Sequence, residues 1–137
     1  MNYLNFDENS SIFGVGTDMT SILRFQKMDA SVSERLAKRI LTSYEYLCYS
    51  NAANPMQYLA VSFCCKEAIS KALGTGFHGF WFTDIEIKKN ESGKPIVYLS
   101  EKIISLFSMQ PDRFSIQISI THELPYIVSF AVAIKTR

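Results

Sequence analysis

At 137 residues the chain is long enough to bury a real core and short enough to be one domain, and no window approaches the roughly 20 consecutive apolar residues of a membrane span. Apolar residues make up 47% of it and the formal net charge is +1, as in a soluble globular protein, with too few cations for a footprint along nucleic-acid phosphates. Three cysteines, two of them adjacent at Cys64 and Cys65, match neither a disulfide framework nor the spaced pairs of a zinc site, so they read as structural, with one of the adjacent two facing the core.

The opening "MNYLNFDENSS" is polar and acidic, without the basic and apolar regions of a secretory signal. Residues 1–11 therefore read as a leader, 12–137 as the single domain, and the cytoplasm as its location. "SIFGVGTDM" predicts a short strand from Ile12 to Gly16 that ends at Asp18. Thr20 or Ser21 then caps a short helix carrying Ile22, Leu23, Phe25 and Met28 inward. From Ser33, Leu36, Ile40 and Leu41 recur at helical spacing with Arg35, Lys38 and Arg39 outward. "TSYEYLCYSN" begins with residues able to cap another short helix, and Asn54 and Pro55 punctuate the chain before the next.

The dominant helix is predicted from about Met56 to Leu73. It is apolar on nearly every side, which makes it central, and Gly74 suits its C-terminal cap because glycine reaches the left-handed region at little cost. "FTDIEIKKN" and "PIVYLS" flank the turn "ESGK" as a hairpin. A short helix around Ser100 to Met109 follows, and "FSIQISIT" and "YIVSFAVAI" close the domain as strands around "HELP". The order predicts an α+β fold, an antiparallel sheet packed on one long central helix with short flanking helices.

Two features of this pattern bear on chemistry. Glu67 and Lys71 lie one turn apart on the apolar helix, where a charged pair is either a helix salt bridge or part of a site. Asp18, at a strand end, is by itself a turn or cap residue. His122, at the end of a strand, is equally a backbone-bonded histidine or a proton donor and acceptor, and His78 is a loop residue.

In combination and in order, "GVGTDMTSILRF", "FCCKEAISKALGTGF", "SGKPIVYL" and "ISITHELPYIVSFAVAI" resemble the holo-(acyl-carrier-protein) synthase family of phosphopantetheinyl transferases. The resemblance runs from Phe13 to about Ile134. It implies the half-fold of that family and transfer of 4'-phosphopantetheine from coenzyme A to a serine of an apo acyl carrier protein for fatty acid synthesis. It implies Mg²⁺ held by Asp18 and Glu67, since a hard cation beside phosphates takes one or two carboxylates. Glu67, Lys71 and His122 are the implied catalytic residues, with Lys71 neutralising phosphate charge first and shuttling a proton second. Lys71, Gly74, Thr75, Gly76, Lys94 and Pro95 would face coenzyme A.

The carrier that the family modifies is acidic, and the resemblance assigns Arg24, Lys27 and Met28 of the first helix to it. It also implies a homotrimer with active sites between subunits, no nucleic-acid partner and no membrane. Ser62 stands where the family commonly has an arginine, a lost cation that bears on phosphate or subunit contacts. Two other readings are kept open by the residues themselves. One is a non-catalytic module of the same fold that binds coenzyme A or a nucleotide; the other is a regulatory partner of an acidic protein, independent of magnesium.

Overall fold

A computed structural model describes residues 10–136. Strand β1 (Ser10–Ser21) leads into α1 (Ile22–Gln26), α2 (Ala30–Ile40), α3 (Ser43–Asn51) and the long α4 (Pro55–Ala72). The hairpin β2 (Ile85–Lys89) and β3 (Pro95–Leu99) follows, then α5 (Glu101–Leu106), β4 (Phe114–Glu123) and β5 (Tyr126–Thr136). The α+β class is as predicted, with the strands divided between two antiparallel sheets, one in the order β1-β5-β4 and the hairpin by itself.

The first strand is longer than its apolar pattern suggests. β1 pairs with β5 from Ser10 opposite Thr136 to Ser21 opposite Tyr126, so its backbone groups are satisfied well beyond Gly16. Asp18 thus lies inside the strand rather than past its end. Ser10 and Ser11 belong to the strand, and the rest of the predicted leader lies outside the described residues. Ser21 accepts a hydrogen bond from the Leu23 backbone and so caps α1, as anticipated. Ile22 and Phe25 of α1 are buried, whereas Leu23 points outward.

Asn54 caps α4 and Pro55 occupies its first turn, where a missing N–H costs nothing. Gly74 ends it at φ +88°. Ten of its residues are buried, both Cys64 and Cys65 among them, because strands cover one side and the other helices and hairpin the rest. Along β1, alternation turns Gly14, Gly16, Asp18 and Thr20 toward α4. The packing is tightest at Gly16, where a Cβ would stand 1.9 Å from the Ala68 carbonyl oxygen. The other face of the sheet exposes Ile12, Val15, Met19 and Phe130.

A buried ion pair ties the helices to the hairpin. Lys66 donates to Glu45 Oε1 at 2.6 Å and to the Ile40 and Phe82 carbonyls at 2.7 and 3.0 Å. Glu45 also accepts from the backbone N–H of Thr42 and of Ile87, both at 2.9 Å. Burial holds the Lys66 ammonium below its ordinary pKa, and the Glu45 charge opposes that shift. Lys66→Met would leave Glu45 charged and buried without its cation. A loss of about 3–5 kcal/mol in unfolding free energy is expected, read by urea denaturation.

Candidate active site

Strand alternation and the glycine contact bring Asp18 against the last turns of α4. There Lys71 Nζ meets Asp18 Oδ1 at 3.2 Å and the Thr17 carbonyl oxygen at 3.0 Å. The ion pair of Lys71 is thus made to the strand, not to Glu67 one turn back on its own helix. Glu67 is half-buried beside them. Burial pushes its carboxyl pKa up and the nearby Asp18 charge adds to this, while Lys71 and Arg24 oppose it. The guanidinium of Arg24 lies 5.2 Å from the Phe63 ring centroid.

Two carboxylates converge here without a third ligand; among the described residues no group of three or more His, Cys, Asp and Glu side chains forms. That set is too sparse for a zinc or calcium cage. It suits an ion such as Mg²⁺, which keeps waters and draws its remaining ligands from substrate phosphates. The chain continues past α4 through Gly74 and Gly76, both at positive φ, and an exposed Thr75. These lie at the end of the helix that carries Glu67 and Lys71. Arg24 and Lys27 are exposed and Met28 is partly buried.

His122 is elsewhere. It pairs with Ile127, which pairs on its other side with Thr20, so β5 separates it from the strand of Asp18. Two strand spacings are roughly 10 Å, and α4 lies over the sheet between them. On that far flank His122 lines a cavity of about 700 Å³ together with Tyr58, Ser62, Ile118, Gly93 and Pro95. Lys94 is exposed in the same hairpin turn. Within one chain the predicted residues therefore form two groups, Asp18 with Glu67 and Lys71, and His122 with Pro95.

Sequence reasoning passed over Lys66 and Glu45. The signal for Glu45 was its place three residues after Thr42, where it completes a capping box. Lys66 had only the apolar character of its helix to mark it as buried. The stacking of Arg24 on Phe63 has no sequence signal, since the two lie on different helices.

The sequence profile of the 4'-phosphopantetheinyl transferase superfamily matches residues 14–131. The chain belongs to that superfamily. A holo-(acyl-carrier-protein) synthase of Clostridium beijerinckii is 39% identical over 121 residues, 88% of this chain and 96% of that protein. Among solved structures, the holo-(acyl-carrier-protein) synthase of Neisseria meningitidis superposes with a TM-score of 0.81 at 32% identity, covering 90% of this chain and 98% of that one. The Helicobacter pylori synthase in complex with coenzyme A gives 0.74 at 28% identity, covering 87% and 98%. The family fold is thus shared over nearly the whole described chain, and no helix among the described residues is long and apolar enough to cross a membrane.

The raised pKa of Glu67 has a measurable sign. Between the ordinary value of 4.5 and the raised one, the folded protein holds a proton that the unfolded chain has lost, so stability falls as pH rises through that window. In metal-free protein, the unfolding free energy of wild type is expected to decline relative to Glu67→Gln across it, measured by urea denaturation at stepped pH. A Glu67–Lys71 salt bridge would give the opposite slope.

Proposed function

We propose that this superfamily member transfers 4'-phosphopantetheine from coenzyme A to a serine hydroxyl of an apo acyl carrier protein in the cytoplasm, giving the holo carrier for fatty acid synthesis. The observation that carries the reading is the meeting of Asp18, Glu67 and Lys71 at the seam of β1 and α4, two carboxylates and one ammonium with Lys71 3.2 Å from Asp18. The names of the relatives, and the coenzyme A in the Helicobacter pylori structure, support the same donor and acceptor.

In the reaction the serine oxygen bonds to the phosphorus that carries the pantetheine arm. The bond from that phosphorus to its bridging oxygen breaks, adenosine 3',5'-bisphosphate leaves, and the serine proton is released to a base or to solvent. Asp18 and Glu67 would hold Mg²⁺, which when bound offsets charge on the diphosphate. Lys71, half-exposed beside them, supplies a further cation to the phosphate oxygens. The turn Gly74, Thr75 and Gly76 faces the nucleotide through the exposed Thr75, the N–H groups of Gly74 and Gly76 being already donated to the Lys71 and Ser70 carbonyl oxygens, and Arg24 and Lys27, with Met28, face the carrier.

His122, Lys94 and Pro95 serve this reaction through a second copy. A homotrimer in which one subunit contributes Asp18, Glu67 and Lys71 and its neighbour contributes His122 and the hairpin turn brings both groups to one coenzyme A. The exposed apolar sheet face, with Met19 at 64% and Val15 at 55% accessibility, supports such self-association, because apolar surface of that kind marks interfaces.

Incubation of an apo carrier with the protein, coenzyme A and Mg²⁺ is expected to add one phosphopantetheine arm by intact-mass spectrometry. A chelator should abolish the gain, and Glu67→Ala should slow it about a hundredfold or more. Coenzyme A binding without any arm on several carriers would favour the binding-module reading instead. Mixing Glu67→Ala and His122→Ala subunits, each impaired separately, is expected to restore part of the activity. No recovery in a mixture shown to exchange subunits would rule out a shared site.

A further inference from the structure

Strand β1 lies at the edge of its sheet with β5 as its single strand neighbour, so packing against α4 must fix the rest of it. At Gly14 and Gly16 close backbone contact does this. At Asp18, where a side chain intervenes, hydrogen bonds from α4 take over. Lys71 Nζ holds the Thr17 carbonyl oxygen at 3.0 Å, and Cys64 Sγ of the same helix reaches the next carbonyl oxygen, that of Asp18, at 3.3 Å. The Cys64 sulfur also lies 3.6 Å from the Ile127 carbonyl oxygen of β5. Its one hydrogen is thus shared between two strands.

A second buried donor completes the connection. Ser129 stands opposite Asp18 in the register of β1 and β5, and its hydroxyl donates to the Cys64 carbonyl oxygen at 2.8 Å. Both Ser129 and Cys64 are 0% exposed. The neighbouring inward positions of β5 are Ile127, Ala131 and Ala133, all buried, so an alanine at 129 would satisfy the packing as it does two and four residues on. A hydroxyl costs free energy to bury unless it is bonded, and this one is bonded to the residue whose thiol holds Asp18. Asp18, Ser129 and Cys64 close a ring through three elements, by a strand pair, a hydroxyl bond to the helix and a thiol bond back to the strand. On α4, Cys64, Glu67 and Lys71 fall at i, i+3 and i+7 along one face. The residue that holds the Asp18 backbone is therefore one turn from the second carboxylate.

We infer that Cys64 and Ser129 are positioning residues for Asp18, setting its carboxylate against that of Glu67 so that the two can share one small divalent ion. The inference rests on the transferase reading above. Neither residue touches ion or substrate, since both are sealed between strand and helix. They act through the Asp18 main chain, as groups behind metal ligands set the affinity of a site. An ion such as Mg²⁺ demands near-ideal placement of its ligands, whereas a buried cysteine that serves only as a small apolar filler matters to stability alone.

The test uses Mn²⁺ as a paramagnetic probe, titrated into the full chain with coenzyme A and no carrier, so that nothing turns over, and read by electron paramagnetic resonance. Cys64→Ala and Ser129→Ala are each expected to weaken Mn²⁺ binding about tenfold, and the double variant no further than Cys64→Ala, since one path carries both effects. In transfer assays the same variants should need about tenfold more Mg²⁺ for half-maximal rate, with KM for the carrier unchanged at saturating Mg²⁺. Ile40→Val, similarly buried but in α2, should lose stability without moving either reading. If Cys64→Ala fails to fold, Ser129→Ala decides the matter, because it removes a single oxygen. Wild-type Mn²⁺ affinity in folded variants would reduce both residues to packing and overturn the inference, with the transferase still standing. A wild-type protein that takes up no Mn²⁺ and modifies no carrier would remove the transferase reading and the inference together.

Discussion

Strand β1 lies so close on α4 that no side chain fits between them at two positions. A Cβ at Gly14 or Gly16 would stand 2.1 or 1.9 Å from the carbonyl oxygens of Ala72 and Ala68, closer than any real side-chain contact. This contact sets the register of strand against helix. Asp18, two residues beyond Gly16 on the same face, is thereby carried to Lys71, 53 positions away in sequence. Both groups stand on rigid elements whose packing is over-determined, which holds the candidate site in place better than loops would.

A second constraint orders the opposite flank of the same helix. Lys66 and Glu67 are neighbours in sequence but point roughly 100° apart on a helix, so one turns into the core while the other turns to β1. All three ammonium hydrogens of Lys66 find acceptors, from α2, α3 and Phe82 in the turn that leads into the hairpin. Taking such a pair out of water costs more than a hydrophobic pair would, and full satisfaction of both partners is what makes it tolerable. What it specifies is position: Ile87 of β2 is bonded directly to Glu45, so the hairpin that carries Pro95 is seated by the residue beside Glu67.

Much of the architecture is legible in the sequence where local signals are strong. The limits of α4 follow from Asn54, Pro55 and Gly74, and the hairpin from "ESGK", because caps and tight turns are decided by a few adjacent residues. β1 was legible only in part. Thr17, Asp18, Thr20 and Ser21 have little apolar character, and what makes them strand is pairing with β5, a partner more than a hundred residues away. Leu23 escaped the helical pattern for a similar reason, since five residues of α1 are too few to define a buried face.

The sequence by itself determined the secondary elements of the core and the candidate residues for the chemistry, since Asp18, Glu67, Lys71 and His122 are named by type and motif. Tertiary structure alone decided how they are partnered. An i,i+4 spacing makes Glu67 the obvious mate of Lys71, yet a strand packed at glycine distance offers Asp18 and the Thr17 carbonyl together, two acceptors against one. His122 is likewise kept from the carboxylates by β5 and α4, an outcome of sheet order that no local spacing encodes. Helix periodicity acts over a turn, whereas strand order and close packing act between segments the chain does not connect.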